Sequence, residues 1–78
     1  MSEADEIFIA LGYKIRKGKH DIKYYGDFVR VITFNLEDEL VEIYDYSTVL
    51  LDVREIEAIQ MKCRELGWEN ENISNIKR

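Results

Sequence analysis

Side chains that carry most enzyme and metal chemistry are scarce in this chain of 78 residues. His20 and Cys63 are its single histidine and single cysteine, and they lie far apart in the sequence. A zinc site needs three or four such ligands, usually at short spacings. His20 stands in a Lys-Gly-Lys-His-Asp stretch that is typical of an exposed turn, and Asp21 alone is a weak orienting partner for a functional histidine. We therefore expect no metal site and no cofactor.

Nucleophilic side chains also lack the neighbours that would activate them. Cys63 falls on the apolar stripe of a predicted helix, where a thiol is usually inert. The serines have no flanking glycines of the nucleophile-elbow type, and the dispersed glycines form no phosphate cradle. Three consecutive acids at positions 37–39 cannot all turn towards one cation, unlike the alternating ligands of a calcium loop. The sequence therefore predicts a protein that is not an enzyme.

Aromatic residues on neighbouring predicted strands are the group that suggests a binding surface. These aromatic residues are Tyr24, Tyr25, Phe28, Tyr44 and Tyr46. Two short helices cannot cover all five rings. Tyrosine and arginine are enriched at the energetic hot spots of protein interfaces. We therefore define a candidate interaction surface by six residues: Tyr24, Tyr25, Arg30, Glu42, Tyr44 and Tyr46. The sequence equally allows the alternative that these rings complete the edge of the core and leave only their hydroxyls at the surface.

Charge is unevenly distributed along the chain, whose formal net charge is −5. Residues 14–30 hold six basic and two acidic side chains, whereas residues 31–57 hold eight acidic and one basic. Such a two-sided charge can steer a partner or pair subunits, although two solvated faces would look the same. The basic segment supplies a candidate basic patch: Lys14, Arg16, Lys17, Lys19 and Lys23. This patch, with Tyr24 or Tyr25 stacking on bases, makes nucleic-acid binding the alternative function, which the overall acidity disfavours.

Two helix-stop signals bracket these candidates, Leu11-Gly12-Tyr13 and Leu66-Gly67-Trp68. Before the first, Ser2 is a suitable N-cap with a weak capping box to Asp5. The apolar stripe of this first helix has helical spacing: Ala4, Ile7, Phe8 and Leu11. A glycine at the stop can take the left-handed conformation that ends a helix, which would bring the next aromatic residue back onto the last turn.

The second stop ends a helix that we predict over residues 53–66. Asp52 is its N-cap, Glu55 lies three residues later, and Leu51 with Ile56 suits a hydrophobic staple. Helical spacing predicts the following buried stripe: Val53, Ile56, Ile59, Cys63 and Leu66. We expect four charged side chains to turn largely towards water: Glu55, Glu57, Lys62 and Arg64. Trp68 would fold back near Cys63.

Between the helices, alternating residues predict strands over 13–16, 21–25, 28–34 and 40–46. Ile32 and Phe34 are expected to face the helices, and Val41 and Ile43 to share one face of the last strand. The predicted fold class is α+β: an N-terminal helix, a three- to four-stranded antiparallel meander and a C-terminal helix, with both helices on one face of the sheet. Residues 1–68 would form one domain, and residues 69–78 a polar, flexible tail.

The expected cellular location rests on membrane-spanning and secretory segments, neither of which is recognisable in the sequence. No stretch approaches the roughly 18 apolar residues of a membrane span. The acidic start of the chain differs from the basic n-region of a secretory signal, and a lone cysteine excludes an intrachain disulfide. We therefore expect a cytoplasmic protein without membrane association.

The chain resembles a group of short, uncharacterised proteins encoded by phages and prophages of Gram-positive bacteria. The likeness lies in these stretches: Ala4-Asp5-Glu6-Ile7-Phe8, Leu11-Gly12-Tyr13, Val31-Ile32-Thr33-Phe34-Asn35-Leu36, Glu55-Ile56-Glu57-Ala58-Ile59 and Cys63-Arg64-Glu65-Leu66-Gly67-Trp68. It implies an accessory protein in the cytoplasm of a bacterial host and transfers no catalytic residue.

Together these features predict a small non-enzymatic protein that acts by binding an unidentified protein partner. Modulation of a host protein, such as a defence or replication component, is one concrete form of that role. A homodimer through an edge strand or through the outer face of the sheet is a further expectation, because a small domain has a thin core.

Overall fold

A computed structural model describes residues 2–27, 29–46 and 48–68 of the chain. It contains two helices and four strands: α1 (Glu3–Ala10), β1 (Lys14–Lys17), β2 (Asp21–Tyr25), β3 (Val31–Asn35), β4 (Leu40–Tyr44) and α2 (Val53–Glu65). The α+β class predicted from the sequence is confirmed. The predicted flexible tail at 69–78 lies outside the described residues, as does Phe28.

The four strands form one antiparallel sheet in the order β1-β2-β3-β4. Tyr24 of β2 lies opposite Ile15 of β1 and Ile32 of β3, and Ile32 lies opposite Ile43 of β4. This row faces the helices, because side chains alternate across a strand and Ile32 and Tyr24 have no exposed surface. β3 is shorter than predicted. It begins at Val31, directly after Arg30, whose C=O accepts a hydrogen bond of 2.9 Å from the Gly26 N–H.

The core lies between the helices and this face of the sheet. The Phe8 ring stacks on Tyr24 with ring centroids 4.1 Å apart, and both rings meet the edge of Phe34. Ala58 supplies the buried contact from α2. The predicted orientation of Ile32 and Phe34 is confirmed, because both are fully buried.

Both predicted helix stops form the same hydrogen-bonded ending. The Tyr13 N–H donates to the Phe8 C=O at 2.9 Å, and the Trp68 N–H donates to the Cys63 C=O at 2.8 Å. Gly12 and Gly67 adopt φ of +98° and +81°, which side chains with a Cβ rarely tolerate. As predicted, the chain after each glycine turns back onto its helix, and the Phe8 and Tyr13 rings meet edge to face at 5.3 Å.

The predicted inward face of α2 is wrong in its first half. The buried residues are Glu55, Ala58 and Lys62, whereas Val53 and Ile56 are 78% and 51% exposed. The face of α2 that packs against the rest of the protein is therefore rotated about the helix axis, relative to the face that carries the most apolar residues. Burial of a charged side chain is tolerable only where it finds an opposite charge and hydrogen bonds. Glu55 and Lys62 both find such partners on other elements.

Candidate interaction surface and two buried carboxylate centres

The face of the sheet away from the helices carries a cross-strand row of large side chains. Lys14 lies opposite Tyr25, Tyr25 opposite Val31, and Val31 opposite Tyr44. Tyr25 is 36% exposed and Tyr44 is 52% exposed. This row therefore presents two phenol rings with an ammonium group at one end.

A second, polar row runs beside the first. Arg16 lies opposite Lys23, Lys23 opposite Thr33, and Thr33 opposite Glu42. Arg16 and Glu42 are exposed, and they lie on the two outermost strands of the sheet. The outer face is thus basic along β1 and β2 and acidic along β4, as the charge distribution of the sequence suggests.

Tyr46 extends the aromatic surface just beyond the end of β4. It is 78% exposed, and its ring lies 6.2 Å from that of Tyr44, edge to face. Tyr25, Glu42, Tyr44 and Tyr46 are the exposed members of the candidate interaction surface.

Tyr24 requires a correction, because it is fully buried and cannot belong to an exposed surface or stack on a base. Its hydroxyl donates to Asp5 Oδ1 at 2.6 Å. The Lys62 ammonium lies 3.3 Å from the same oxygen, and Lys17 Nζ lies 3.2 Å from Asp5 Oδ2. We call this group (Asp5, Tyr24, Lys62 and Lys17) the Asp5 centre. It joins α1, β1, β2 and α2 around one carboxylate whose side chain is 2% exposed.

The protonation of the Asp5 centre follows from its partners. Burial alone would raise the pKa of the Asp5 carboxyl, but hydrogen bonds from Tyr24 and Lys17 and the two lysine charges outweigh it, so the pKa lies below its usual value. Burial, followed by the hydrogen bond to Asp5, raises the pKa of Tyr24. The centre therefore holds a carboxylate and a neutral phenol at neutral pH.

Arg30 also requires a correction, because it takes part in a second buried network. Its Nε donates to Asp45 Oδ2 at 2.8 Å, and its Nη1 donates to both Glu55 oxygens at 3.0 and 3.2 Å. The Tyr13 hydroxyl donates to Glu55, and the Asp52 N–H donates to Glu55 Oε1 at 2.7 Å. We call Glu55, Tyr13, Arg30 and Asp45 the Glu55 centre. The Arg30 side chain is only 16% exposed, so little of it is available to a partner.

The pKa directions in the Glu55 centre match those in the Asp5 centre. Burial acts to raise the pKa of Glu55, but bonds from Tyr13, the Asp52 backbone and Arg30 outweigh it and lower the pKa. Burial and the bond to Glu55 raise the pKa of Tyr13 to about 12. The bond to Asp45 is the largest cause of a raised pKa of Arg30. Tyr13, Arg30 and Glu55 therefore keep their ordinary charge states at neutral pH.

A cavity of about 450 Å³ borders the Glu55 centre. Tyr13, Arg30 and Glu55 line it together with Tyr46 and Leu50. Its size is in the range of small-molecule pockets. Three charged residues of its wall, Arg30, Asp45 and Glu55, are already bonded to one another, so a ligand that binds them would compete with existing ion pairs.

The candidate basic patch does not lie on a single surface. Lys14, Arg16 and Lys23 project from the outer face, whereas Lys17 points to the helix side and pairs with Asp5. Lys19 is exposed in the turn that joins β1 to β2. Only three of the five basic groups are therefore placed to act together on the outer face.

His20 and Cys63 have the surroundings that the sequence indicates. His20 Nδ1 lies 2.7 Å from Glu37 Oε2, and both side chains are largely exposed. Cys63 is half-buried, and burial raises the pKa of its thiol. Within 2–27, 29–46 and 48–68, no group of three or more His, Cys, Asp or Glu residues is arranged to hold a metal ion.

Sequence reasoning missed the two carboxylate centres. Asp5 and Glu55 each occupy the third position of a helix after its N-cap, Ser2 or Asp52. In α2 the Glu55 carboxylate closes the predicted capping box, whereas the shorter Asp5 turns inward, and only the bond from its N–H to Ser2 Oγ forms. The spacing of 55, 58 and 62 fits one helical face, and that spacing was the available signal.

Comparisons with protein-family models, with curated proteins and with solved structures find no match to this chain. No helix in the described part of the chain has the length and apolar character of a membrane span.

Proposed function

We propose that this chain is a small non-enzymatic accessory protein that acts by binding another protein through the outer face of its sheet. Its resemblance to short phage and prophage proteins supports a role in the cytoplasm of a bacterial host. A host protein whose activity is modulated by this binding, for example a defence or replication component, fits that setting.

The row containing Tyr25 and Tyr44 carries the proposal. These rings are 36% and 52% exposed, although they lie in the middle and on the edge of a regular sheet. Exposed tyrosine contributes a large contact area at a low entropic cost on binding. Arg16 and Glu42, at opposite sides of the same face, would fix the orientation of a partner with complementary charges.

The two carboxylate centres support a role other than catalysis. Catalytic acids and bases need a pKa matched to their task and access to a substrate. The Asp5 and Glu55 carboxylates instead have lowered pKa values and are bonded to tyrosine and basic side chains. These interactions suit groups that join helices to the sheet.

The test is a quantitative affinity purification from a Gram-positive host with the tagged protein and two matched variants. Tyr44→Ala should reduce the recovery of a specific partner at least tenfold, as truncation at an interface hot spot does. Val53→Ala is the control, because Val53 is 78% exposed on α2, away from the outer face. Circular dichroism should show the same fold for all three proteins.

Equal recovery with wild type, Tyr44→Ala and Tyr25→Ala would contradict the proposal. Recovery that falls with Val53→Ala but not with Tyr44→Ala would move the interface to the helix side of the molecule. A purified partner then allows the dissociation constant to be measured directly for each variant.

Nucleic-acid binding is the second candidate, and one observation favours it. Lys14 lies directly opposite Tyr25 on the outer face, with Arg16 and Lys23 in the next row. An aromatic ring beside basic groups can stack on a base while the charges contact phosphates. Fluorescence anisotropy with a labelled single-stranded oligonucleotide tests this. Binding should weaken steeply with salt, and Arg16→Ala should lower the salt dependence, whereas Arg54→Ala on α2 should not. No binding at low salt would exclude this candidate.

A further inference from the structure

The sheet has two open edges of opposite charge. Within the described residues, β1 and β4 each pair with only one neighbouring strand. The exposed charged residues of β1 are basic (Lys14, Arg16 and Lys17), whereas β4 carries Glu42. An unpaired edge presents free N–H and C=O groups that can bind another strand.

The backbone groups open at β1 follow from the turn beside it. The Gly18 N–H donates to the Asp21 C=O at 2.8 Å, so this pair is hydrogen-bonded. Bonded pairs alternate along an antiparallel ladder, which places Arg16 and Lys14 in bonded pairs with β2. The N–H and C=O groups of Ile15 and Lys17 therefore point away from the sheet.

The same reasoning identifies the open groups of β4. The Leu36 N–H donates to the His20 C=O at 2.9 Å, which places Ile32 and Phe34 in bonded pairs with β2. The alternate residues of β3 then bond to β4, so the backbone groups of Val41 and Ile43 point outward.

We propose that β4 of one copy of this chain pairs in antiparallel orientation with β1 of the next copy. One register matches both strands. It places Ile15 opposite Ile43 and Lys17 opposite Val41, so that all four residues with open backbone groups bond to one another. Arg16 then lies opposite Glu42 of the next copy in a non-bonded pair, where side chains approach most closely.

A groove beside β1 can cover the apolar side chains of the incoming strand. This groove, of about 670 Å³, lies between α1 and β1 and is lined by Ile9 and Ile15. Ile9 is 46% exposed and is therefore open to contact by an incoming side chain. Ile43 of the next copy would pack against both isoleucines. Lys17 in the same groove is already paired with Asp5 at 3.2 Å, so strand addition does not leave its charge without a partner.

Charge makes this pairing selective for unlike edges. Two β1 edges would bring basic groups together, and two β4 edges would oppose two Glu42 carboxylates, which is unfavourable across strands. The β1 to β4 contact is head-to-tail, so it leaves one free edge of each kind and permits further addition. Its backbone bonds use the strand edges, whereas Arg16 and Glu42 also lie on the outer face, so the next copy and the proposed partner would share these two charges.

Analytical ultracentrifugation of the purified full chain, up to about 1 mM, tests the inference. The average mass should grow with concentration beyond that of a dimer and fall when salt is raised. Arg16→Glu and Glu42→Arg should each weaken association about tenfold, because each opposes like charges across strands. An equimolar mixture of the two variants should restore association, because their altered edges complement each other. Lys19→Glu is the control, since it reverses an exposed charge outside the paired strands.

Amide hydrogen exchange gives a residue-specific readout of the same event. The N–H groups of Ile15, Lys17, Val41 and Ile43 should exchange rapidly in dilute solution and slowly in concentrated solution. The N–H groups of Arg16 and Glu42 should be protected at both concentrations, because they already bond within the sheet.

Three outcomes would overturn the inference. The first is a monomer at every concentration, and the second is a discrete dimer that neither charge reversal weakens. The third is association without new protection at Ile15 and Ile43, which would indicate contact through another surface. Circular dichroism of each variant confirms that the fold is intact before these comparisons are made.

Discussion

The Asp5 centre and the Glu55 centre are built on the same plan and differ in enclosure. Each holds a carboxylate from the third position of a helix, a hydrogen bond from a tyrosine and at least one basic partner. The Asp5 side chain is 2% exposed and meets a Lys62 side chain that is 6% exposed. The Glu55 side chain is 10% exposed and its Arg30 partner 16%, beside a cavity.

The basic residue in each centre suits the degree of enclosure of that centre. Arginine has five donors and is less strongly hydrated than lysine, so Arg30 can bind Asp45 and Glu55 at a partly open site. Lysine is a compact charge that is costly to bury. Lys62 compensates by approaching two carboxylates, Asp5 at 3.3 Å and Glu65 at 3.6 Å. The enclosed centre should therefore tolerate the loss of a partner less well than the open one.

The largest expected effect is the removal of each carboxylate. Asp5→Ala should lower the free energy of unfolding by about 3–5 kcal/mol, because it leaves Lys62 buried without its main partner. Glu55→Ala should cost about 1–3 kcal/mol, because Arg30 keeps Asp45 and the cavity can admit water. Urea denaturation measures both values. Glu57→Ala, at an exposed position of α2, is the control and should change stability by less than about 0.5 kcal/mol. Equal losses at Asp5 and Glu55 would contradict the comparison.

Acid should remove part of the same stabilisation. Both carboxyl pKa values are lowered by folding, so their contribution is fully present above the ordinary values of 3.8 for Asp5 and 4.5 for Glu55. It is lost as pH falls through the lowered pKa values of the folded state. The free energy of unfolding, measured from pH 7 to pH 2, should therefore fall below about pH 4. Asp5→Asn should make this decrease smaller. If the free energy of unfolding of that variant fell with pH as in the wild type, the Asp5 carboxylate would not contribute to acid sensitivity.

Removal of the tyrosine hydroxyl should also cost more stability in the Asp5 centre than in the Glu55 centre. Tyr24→Phe should cost about 1–3 kcal/mol, because its hydroxyl bonds to a buried carboxylate at 2.6 Å. Tyr13→Phe should cost about 0.5–1.5 kcal/mol, because Glu55 keeps Arg30 and the Asp52 N–H. Thermal and urea unfolding of both variants test the order. A larger loss of stability for Tyr13→Phe than for Tyr24→Phe would contradict the conclusion that the Asp5 centre is the more enclosed of the two.

The smallest expected effect comes from the outer cation of the Asp5 centre. Lys17 is 60% exposed, so Lys17→Ala should lower the free energy of unfolding by no more than about 1 kcal/mol. Lys62→Met should cost about 3 kcal/mol, because it removes the enclosed partner of a buried charge. Added salt should abolish the Lys17 effect but not the Lys62 effect, because only the exposed pair is screened. Similar values for both lysines would show that the centre is open to water.

Features that depend on neighbouring residues could be predicted from the sequence. The glycine stops after both helices, the capping box of α2 and the inward orientation of Ile32 and Phe34 in β3 all formed as predicted. Each is decided by backbone sterics and hydrogen bonds within a few residues. β3 begins at Val31 and not at residue 28, because the reversal after β2 ends only with the bond from the Gly26 N–H to the Arg30 C=O.

Features that depend on distant partners were decided only by the tertiary structure. Lys62 lies 57 positions from Asp5 in the sequence, and Glu55 lies 25 from Arg30. Whether a charged residue is buried depends on whether such a partner comes within hydrogen-bonding distance, and helical spacing shows only that residues 55, 58 and 62 share a face. The sequence alone therefore determined the helices, the strands and the two-sided charge. The fold decided that Tyr24 and Arg30 serve buried carboxylates while Tyr25, Tyr44 and Tyr46 remain at the surface, because solvation of a charge depends on the assembled neighbours.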